Sequence, residues 1–152
     1  MAYDYNLAPK ALSEQCAAFK KKCPTLDDLP ADEYIMMPKY DGCLAIITPE
    51  GVVTRTGESI SSIPQCREDA AKLLPDHVIF GEVYKFDTPF KDISGAFRRH
   101  KPQPSLFVMA FDAVPFADWK AGKCDETYIE RYTALQDAWL RTPTASLIVA
   151  PA

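Results

Sequence analysis

Residues 106–114, Leu106-Phe107-Val108-Met109-Ala110-Phe111-Asp112-Ala113-Val114, hold a single charged side chain, and this run constrains the fold more than any other stretch. It is far too short for a membrane span, which needs about 20 apolar residues. Its composition suits a strand buried on both faces. Residues 77–86 form a second strand candidate built on Val78, Phe80, Val83 and Tyr84. Residues 43–48 and 52–55 read as a hairpin around the turn Pro49-Glu50-Gly51, with a further strand at 33–38 before it. Helical spacing falls at 63–74, where Pro64 occupies an acceptable first-turn position, and covers one or two turns at 93–99. The clearest amphipathic helix spans 125–140, with Ile129, Tyr132, Leu135, Ala138 and Trp139 mostly on one side. Ser13 is placed to cap a short helix over 14–22, Pro24 ends it, and 25–32 reads as a loop. Residues 117–123 read as a surface turn that leaves Trp119 unexplained, and 147–150 begin another strand. Hairpins come first and helices interrupt them irregularly. That order predicts an α+β fold with largely antiparallel sheet, not a regular βαβ alternation.

The 152 residues suit one domain with a real core, and 47% hydrophobic with 25% charged residues is ordinary for a soluble protein. No segment reads as a membrane span or an export signal, so the expected location is cytoplasmic. Cys16, Cys23, Cys43, Cys66 and Cys124 are scattered without a CxxC pair, and His77 and His100 stand apart from them. Reduced thiols are expected, and no zinc site. A net charge of −4 argues against a dedicated nucleic-acid-binding module but leaves room for an enzyme that touches nucleic acid locally. The one concentrated basic stretch is Arg98-Arg99-His100-Lys101. Neither GxGxxG nor a P-loop occurs.

The chemistry concentrates in Lys39-Tyr40-Asp41-Gly42, which places a lysine, an acid and a glycine between two strands. A lysine becomes a nucleophile only after losing its proton, through desolvation or neighbouring positive charge. Asp41 can position the amine or a metal ion, and Gly42 permits a sharp turn or a close approach. The same four residues also suit a solvated hairpin turn. Glu82, in Phe80-Gly81-Glu82-Val83-Tyr84, is a carboxylate inside an apolar strand. If buried it requires a cation, metal or hydroxyl partner; otherwise it faces outward. Phe111 offers either a flat wall for a purine or ordinary core packing. Arg55, beside a turn in Thr54-Arg55-Thr56-Gly57, suits a phosphate or ribose contact or a plain surface position.

Taken in order, Lys39-Tyr40-Asp41-Gly42, Arg55 with residues 59–64 after it, Phe80-Gly81-Glu82, and Phe107 through Asp112 resemble the motifs of ATP-dependent DNA ligases. The segments Asp92-Ile93-Ser94-Gly95, Phe97-Arg98-Arg99 and Glu130-Arg131-Tyr132 look like that family's linking segments, closest in style to small phage or bacterial enzymes. The resemblance implies a nucleotidyltransferase (ATP-grasp-like) adenylation domain whose C-terminal part is missing, occupying 1–152 without an oligonucleotide-binding barrel. It also implies ATP and Mg²⁺ as cofactors and nicked DNA as substrate. On it, Lys39 takes AMP, Asp41 orients Lys39 or binds metal, Glu82 holds ribose or metal, Phe111 stacks on adenine and Arg55 contacts the nucleotide.

Some family features do not match. The late Glu-x-x-x-Lys-like and Lys-x-Lys segments have no counterpart before Ala152, so the expected chain is a truncated ligase. Leu44 stands where many relatives carry an arginine for the nick phosphate, and Met37 where they often carry an acid or amide near adenine. Those departures keep a second reading open: a non-catalytic ligase-like scaffold that binds a protein partner or a nucleotide. A third is an RNA ligase or capping-type enzyme, which shares Lys-x-Asp-Gly.

Overall fold

The computed structural model describes residues 37, 38 and 40–152. The expected helix at 14–22, the loop at 25–32, residues 33–36 of the first expected strand, and Lys39 itself lie outside the described residues. The strands are β1 (Cys43–Thr48), β2 (Gly51–Val53), β3 (Ser59–Ile60), β4 (His77–Tyr84), β5 (Phe107–Pro115) and β6 (Leu147–Val149). They form one sheet in the order β3-β2-β1-β4-β5-β6. Every pairing is antiparallel except β5 with β6, which is parallel. The parallel pair follows from the connection, because helices separate β5 from β6 and return the chain to the starting edge. The α+β expectation with largely antiparallel sheet matches this architecture.

The helices are α1 (Pro64–Leu73), α2 (Phe90–Phe97), α3 (Phe116–Ala121) and α4 (Tyr128–Arg141). Strand side chains alternate between faces, and the two faces carry two apolar clusters of unequal size. The larger joins Ala45, Ile47, Ile79, Val83, Val108, Ala110 and Leu147 to Cys66 and Leu73 of α1, Ile93 and Phe97 of α2, and Tyr132 and Leu135 of α4. The smaller holds Ile46, Val78, Phe80 and Val114, with Leu44, Phe111, Phe116 and Trp119 packed around it. Strand β5 is buried along nearly its whole length, as its apolar run predicts.

Two local readings change. Residues 116–121 form a helix rather than a surface turn, and Gly122 ends it in the left-handed region at φ 76°. Trp119 stacks on Phe116 with ring centroids 6.1 Å apart and covers the smaller cluster. Helix α4 starts at Tyr128, three residues later than the apolar spacing suggested, because Thr127 caps it. The Thr127 hydroxyl accepts from the Glu130 amide at 3.2 Å, and the Glu130 carboxylate accepts from the Thr127 amide at 2.8 Å. Ile129 is exposed; Tyr128, half-buried, joins the inward stripe instead.

Candidate active site

The register of the central strands assembles the site. Leu44 of β1 and Met109 of β5 both stand opposite Glu82 of β4. Val78, Phe80 and Glu82 share a face by alternation, and this is the face carrying the smaller apolar cluster. Glu82 is half-buried, and its Oε1 accepts a hydrogen bond from the Gly42 amide at 3.1 Å. The carboxylate inside the apolar strand is thus tied to the backbone of the lysine motif, across 40 positions of sequence. Both glycines here are forced by crowding. A Cβ on Gly42 would stand 1.9 Å from the Val83 carbonyl oxygen, and one on Gly81 would meet Val108 Cγ1 at 2.3 Å. At Gly42 the backbone lies against β4 more closely than any side chain permits.

Phe111 owes its position to a break in register. Phe80 pairs with Asp112 and Gly81 with Ala110, so Phe111 is the extra residue of a β-bulge. Its ring is half-buried against the smaller cluster, on the face that also bears Glu82. Helix α4 holds the bulge from the other side. The Tyr128 hydroxyl donates to the Phe111 carbonyl at 2.8 Å and also reaches the Met37 sulfur at 3.5 Å. Burial drives the Tyr128 pKa upward and Asp112 adds to the push, so the hydroxyl keeps its proton and its donor role.

Asp112, the lone charge in the apolar run, is fully buried. Arg131 grips it with a fork, Nε donating to Oδ1 at 2.9 Å and Nη2 to Oδ2 at 3.1 Å. The Ala113 amide donates to Oδ1 at 2.8 Å. Burial pushes the Asp112 carboxyl up, while Arg131 and the Ala113 amide pull it back without cancelling the rise. For Arg131, burial works against the charge, but the carboxylate outweighs it and raises the pKa. The bidentate geometry is that of an ion pair.

Asp41 is exposed at the edge of the site, next to Gly42. The half-buried Cys43 senses this neighbourhood. Burial pushes its thiol up; Glu82 and Asp41 push the same way, while the Ser94 hydroxyl and Arg98 oppose them. Arg55 sits exposed in the turn between β2 and β3, where Gly57 takes φ 89° and the Thr54 amide donates to the Glu58 carbonyl at 2.9 Å. Since Ile46 pairs with Val53, the chain beyond Val53 runs toward the end of the sheet where Gly42 and Glu82 lie. The structure thus joins Gly42 to Glu82 directly and puts Phe111 on the same face. It leaves Arg55 at the margin, two strands from Glu82.

Sequence reasoning missed Tyr128 and did not pair Asp112 with Arg131. The signal for the second was present, since a lone acid in an apolar strand must find a cation. Nothing in the sequence marked Tyr128 as more than a helix-face aromatic.

No family model matches this sequence, and no curated protein matches it. Solved structures do match in fold. One, titled "DNA binding with a minimal scaffold: Structure-function analysis of Lig E DNA ligases", shares 19% identity at a TM-score of 0.64, covering 82% of this chain and 46% of that one. The ATP-dependent DNA ligase of bacteriophage T7 in complex with ATP matches at 0.55 and 14% identity, over 76% of this chain and 47% of that one. The Chlorella virus DNA ligase-adenylate matches at 0.54 and 18% identity, over 81% and 46%. The chain therefore spans less than half the length of each of these ligases.

Proposed function

We propose that this chain, whose described residues hold part of the nucleotidyltransferase fold of ATP-dependent DNA ligases, carries AMP on Lys39 as the first step of sealing nicks in DNA. The observation that carries the reading is the bond from the Gly42 amide to Glu82. It brings the lysine motif and the third motif of the resemblance into contact, in a fold that matches ligases independently of any motif. Residues 1–152 then supply part of an adenylation domain. Lys39 displaces pyrophosphate from the α-phosphate of ATP, forming a phosphoramidate bond from its Nζ and giving up the amine's proton. AMP passes next to a 5′-phosphate at a nick, and the 3′-hydroxyl displaces it. These are in-line displacements, in which positioning supplies much of the rate.

On this reading the residues divide the work. Glu82 fixes the backbone at Gly42, three positions after Lys39 in sequence, while offering a carboxylate toward ribose. Phe111, held by Tyr128 and the Asp112–Arg131 pair, is the adenine wall. Asp41 orients Lys39, and Arg55 approaches the nucleotide from the sheet margin. Among the described residues no three His, Cys, Asp or Glu side chains gather, so those residues alone offer Mg²⁺ no cage. Glu82 and Asp41 fit the sparser arrangement in which Mg²⁺ takes one or two carboxylates and completes its shell with phosphates. When bound there, the ion neutralises phosphate charge.

One observation favours a second reading. Leu44 packs with the smaller cluster opposite Glu82, and Met37 lies against Tyr128, so apolar contacts stand where polar substrate contacts are expected. A retained scaffold that binds a protein partner or a nucleotide without chemistry would look like this. A chase experiment separates the readings. Protein carrying labelled AMP is offered nicked duplex DNA or nicked duplex RNA, and the label is followed to the 5′-phosphate. Transfer to DNA supports ligation; transfer to RNA alone reassigns the substrate; label that never forms on the protein favours the scaffold.

A further inference from the structure

Gly42 and Glu82 stand at one end of the β1–β4 pair. At the other end, where Ile47 pairs with Ile79, a half-open cleft of about 210 Å³ lies between α1 and the turns that follow β1 and precede β4. Ile47 and Ala70, both buried, line it at depth, with Leu74, Pro49 and Pro75 nearer the surface. Drug-sized sites run to about 300–1,000 Å³, so this volume suits a small occupant. The AMP chemistry proposed above makes no use of it.

Most polar groups around the cleft are committed to the protein itself. The Thr48 hydroxyl donates to the Gly51 carbonyl at 3.0 Å and accepts from the Glu50 and Gly51 amides at 3.1 Å each. The Ala70 carbonyl accepts from the Leu74 amide at 3.0 Å, and the Asp76 carbonyl from the Phe116 amide at 2.8 Å. His77 Nδ1 donates to the Pro75 carbonyl at 3.0 Å. Arg67 differs. Its Nη2 donates to the Pro49 carbonyl at 3.2 Å, and it forms no ion pair among the described residues. One bond thus holds a five-donor fork beside an apolar cleft, with donors left over in the geometry that matches a carboxylate. Holding the fork in place beforehand lowers the cost of binding. The charges also set a direction. Arg67 and Leu74 lie about 10 Å apart along the axis of α1. Asp76 and the negative end of the α1 dipole stand at the Leu74 end, so an anionic group belongs at the Arg67 end and an apolar body beyond it. Glu50 and Glu68, the neighbours in sequence of Pro49 and Arg67, are exposed and do not line the cleft.

We propose that this cleft is a second binding site, which takes a small carboxylate with an apolar body, its carboxylate on the Arg67 fork and its body against Ile47, Ala70 and Leu74. The site is separate from the lysine motif, so its test does not depend on whether Lys39 takes AMP. The probe is 4-fluorobenzoate, titrated with this protein and followed by fluorine NMR. Saturable binding is expected, with a Kd on the order of 1 mM for so few atoms. Arg67→Gln should weaken it about tenfold, the value of one charged hydrogen bond. Ala71 is exposed on α1 and lines the cleft. Ala71→Leu keeps a good helix former, fills the space, and should weaken binding by a similar factor with the thermal midpoint unchanged. Acetate, which lacks the body, and 4-fluorobenzyl alcohol, which lacks the charge, should each bind at least tenfold more weakly than the probe. Absence of saturable binding by the parent overturns the proposal. So does binding that both variants leave intact, which places the probe elsewhere, or an alcohol that binds as tightly as the acid.

Discussion

Replacing Arg131 with methionine tests the part of the structure on which the bulge depends. The substitution keeps most of the apolar stem and removes the fork that satisfies a fully buried carboxylate. Removing one partner of a buried pair costs about 3–5 kcal/mol, because the other charge is left uncompensated. Loss of the bond from Arg131 Nη1 to the Glu126 carbonyl adds about 1 kcal/mol. Against the roughly 5–15 kcal/mol that stabilises a domain, this is a severe loss. Asp112→Asn should cost less, about 1–3 kcal/mol, because its carbonyl oxygen can still accept from the Ala113 amide. The double variant Arg131→Met with Asp112→Asn should then be more stable than Arg131→Met alone, since no buried charge remains. The pH dependence has a defined sign. Without Arg131 the Asp112 carboxyl keeps its burial, loses its main counterweight, and its folded pKa rises further above the unfolded value. A raised carboxyl pKa favours the folded state at low pH and less so as pH rises through that pKa, so the deficit of Arg131→Met should shrink toward pH 4. Urea unfolding followed by tryptophan fluorescence, analysed by linear extrapolation, measures each difference. A cost below 1 kcal/mol for Arg131→Met, or no rescue by Asp112→Asn, would refute the reasoning.

Three further outcomes are expected. Gly42→Ala drives a Cβ into the Val83 carbonyl, so it should cost about 1–3 kcal/mol in thermal or urea unfolding and abolish AMP transfer; unchanged stability would contradict the close approach. Tyr128→Phe leaves the Phe111 carbonyl without its donor and should raise the ATP concentration for half-maximal adduct formation more than it lowers the maximal rate; equal effects on both would argue against a positioning role. Cys66 is buried with its thiol pushed up to about 12 and donating to the Ser146 carbonyl, so alkylating reagents at pH 8 should leave it unmodified in the folded protein. By the same linkage its contribution is full below about pH 9 and lost as pH rises toward 12, about 4 kcal/mol that Cys66→Ala should not lose over that interval.

Much of the sheet could be read from local chemistry. The apolar run of β5, the β4 strand built on Val78, Phe80, Val83 and Tyr84, and the turn between β1 and β2 each satisfy one rule at short range, and each formed where expected. The errors fall where a single residue or a distant contact decides. Helix α4 begins where Thr127 and Glu130 close a capping box, which overrides the apolar spacing that placed Ile129 inward. Helix α3 forms because Phe116 and Trp119 find the smaller cluster on one face of the sheet, a partner that local sequence does not display. In the site, Glu82 and Gly42 were both legible as unusual residues, but their bond spans two strands and only the register reveals it. The bulge at Phe111 had no signal in composition, because it is set by how β4 and β5 pair rather than by either strand alone.

The most direct test of the central claim is the intact mass of this protein after incubation with ATP and Mg²⁺, beside the Lys39→Ala variant. The account predicts a single added AMP on the parent chain and none on the variant. No adduct on the parent, or an adduct of equal yield on Lys39→Ala, would contradict it.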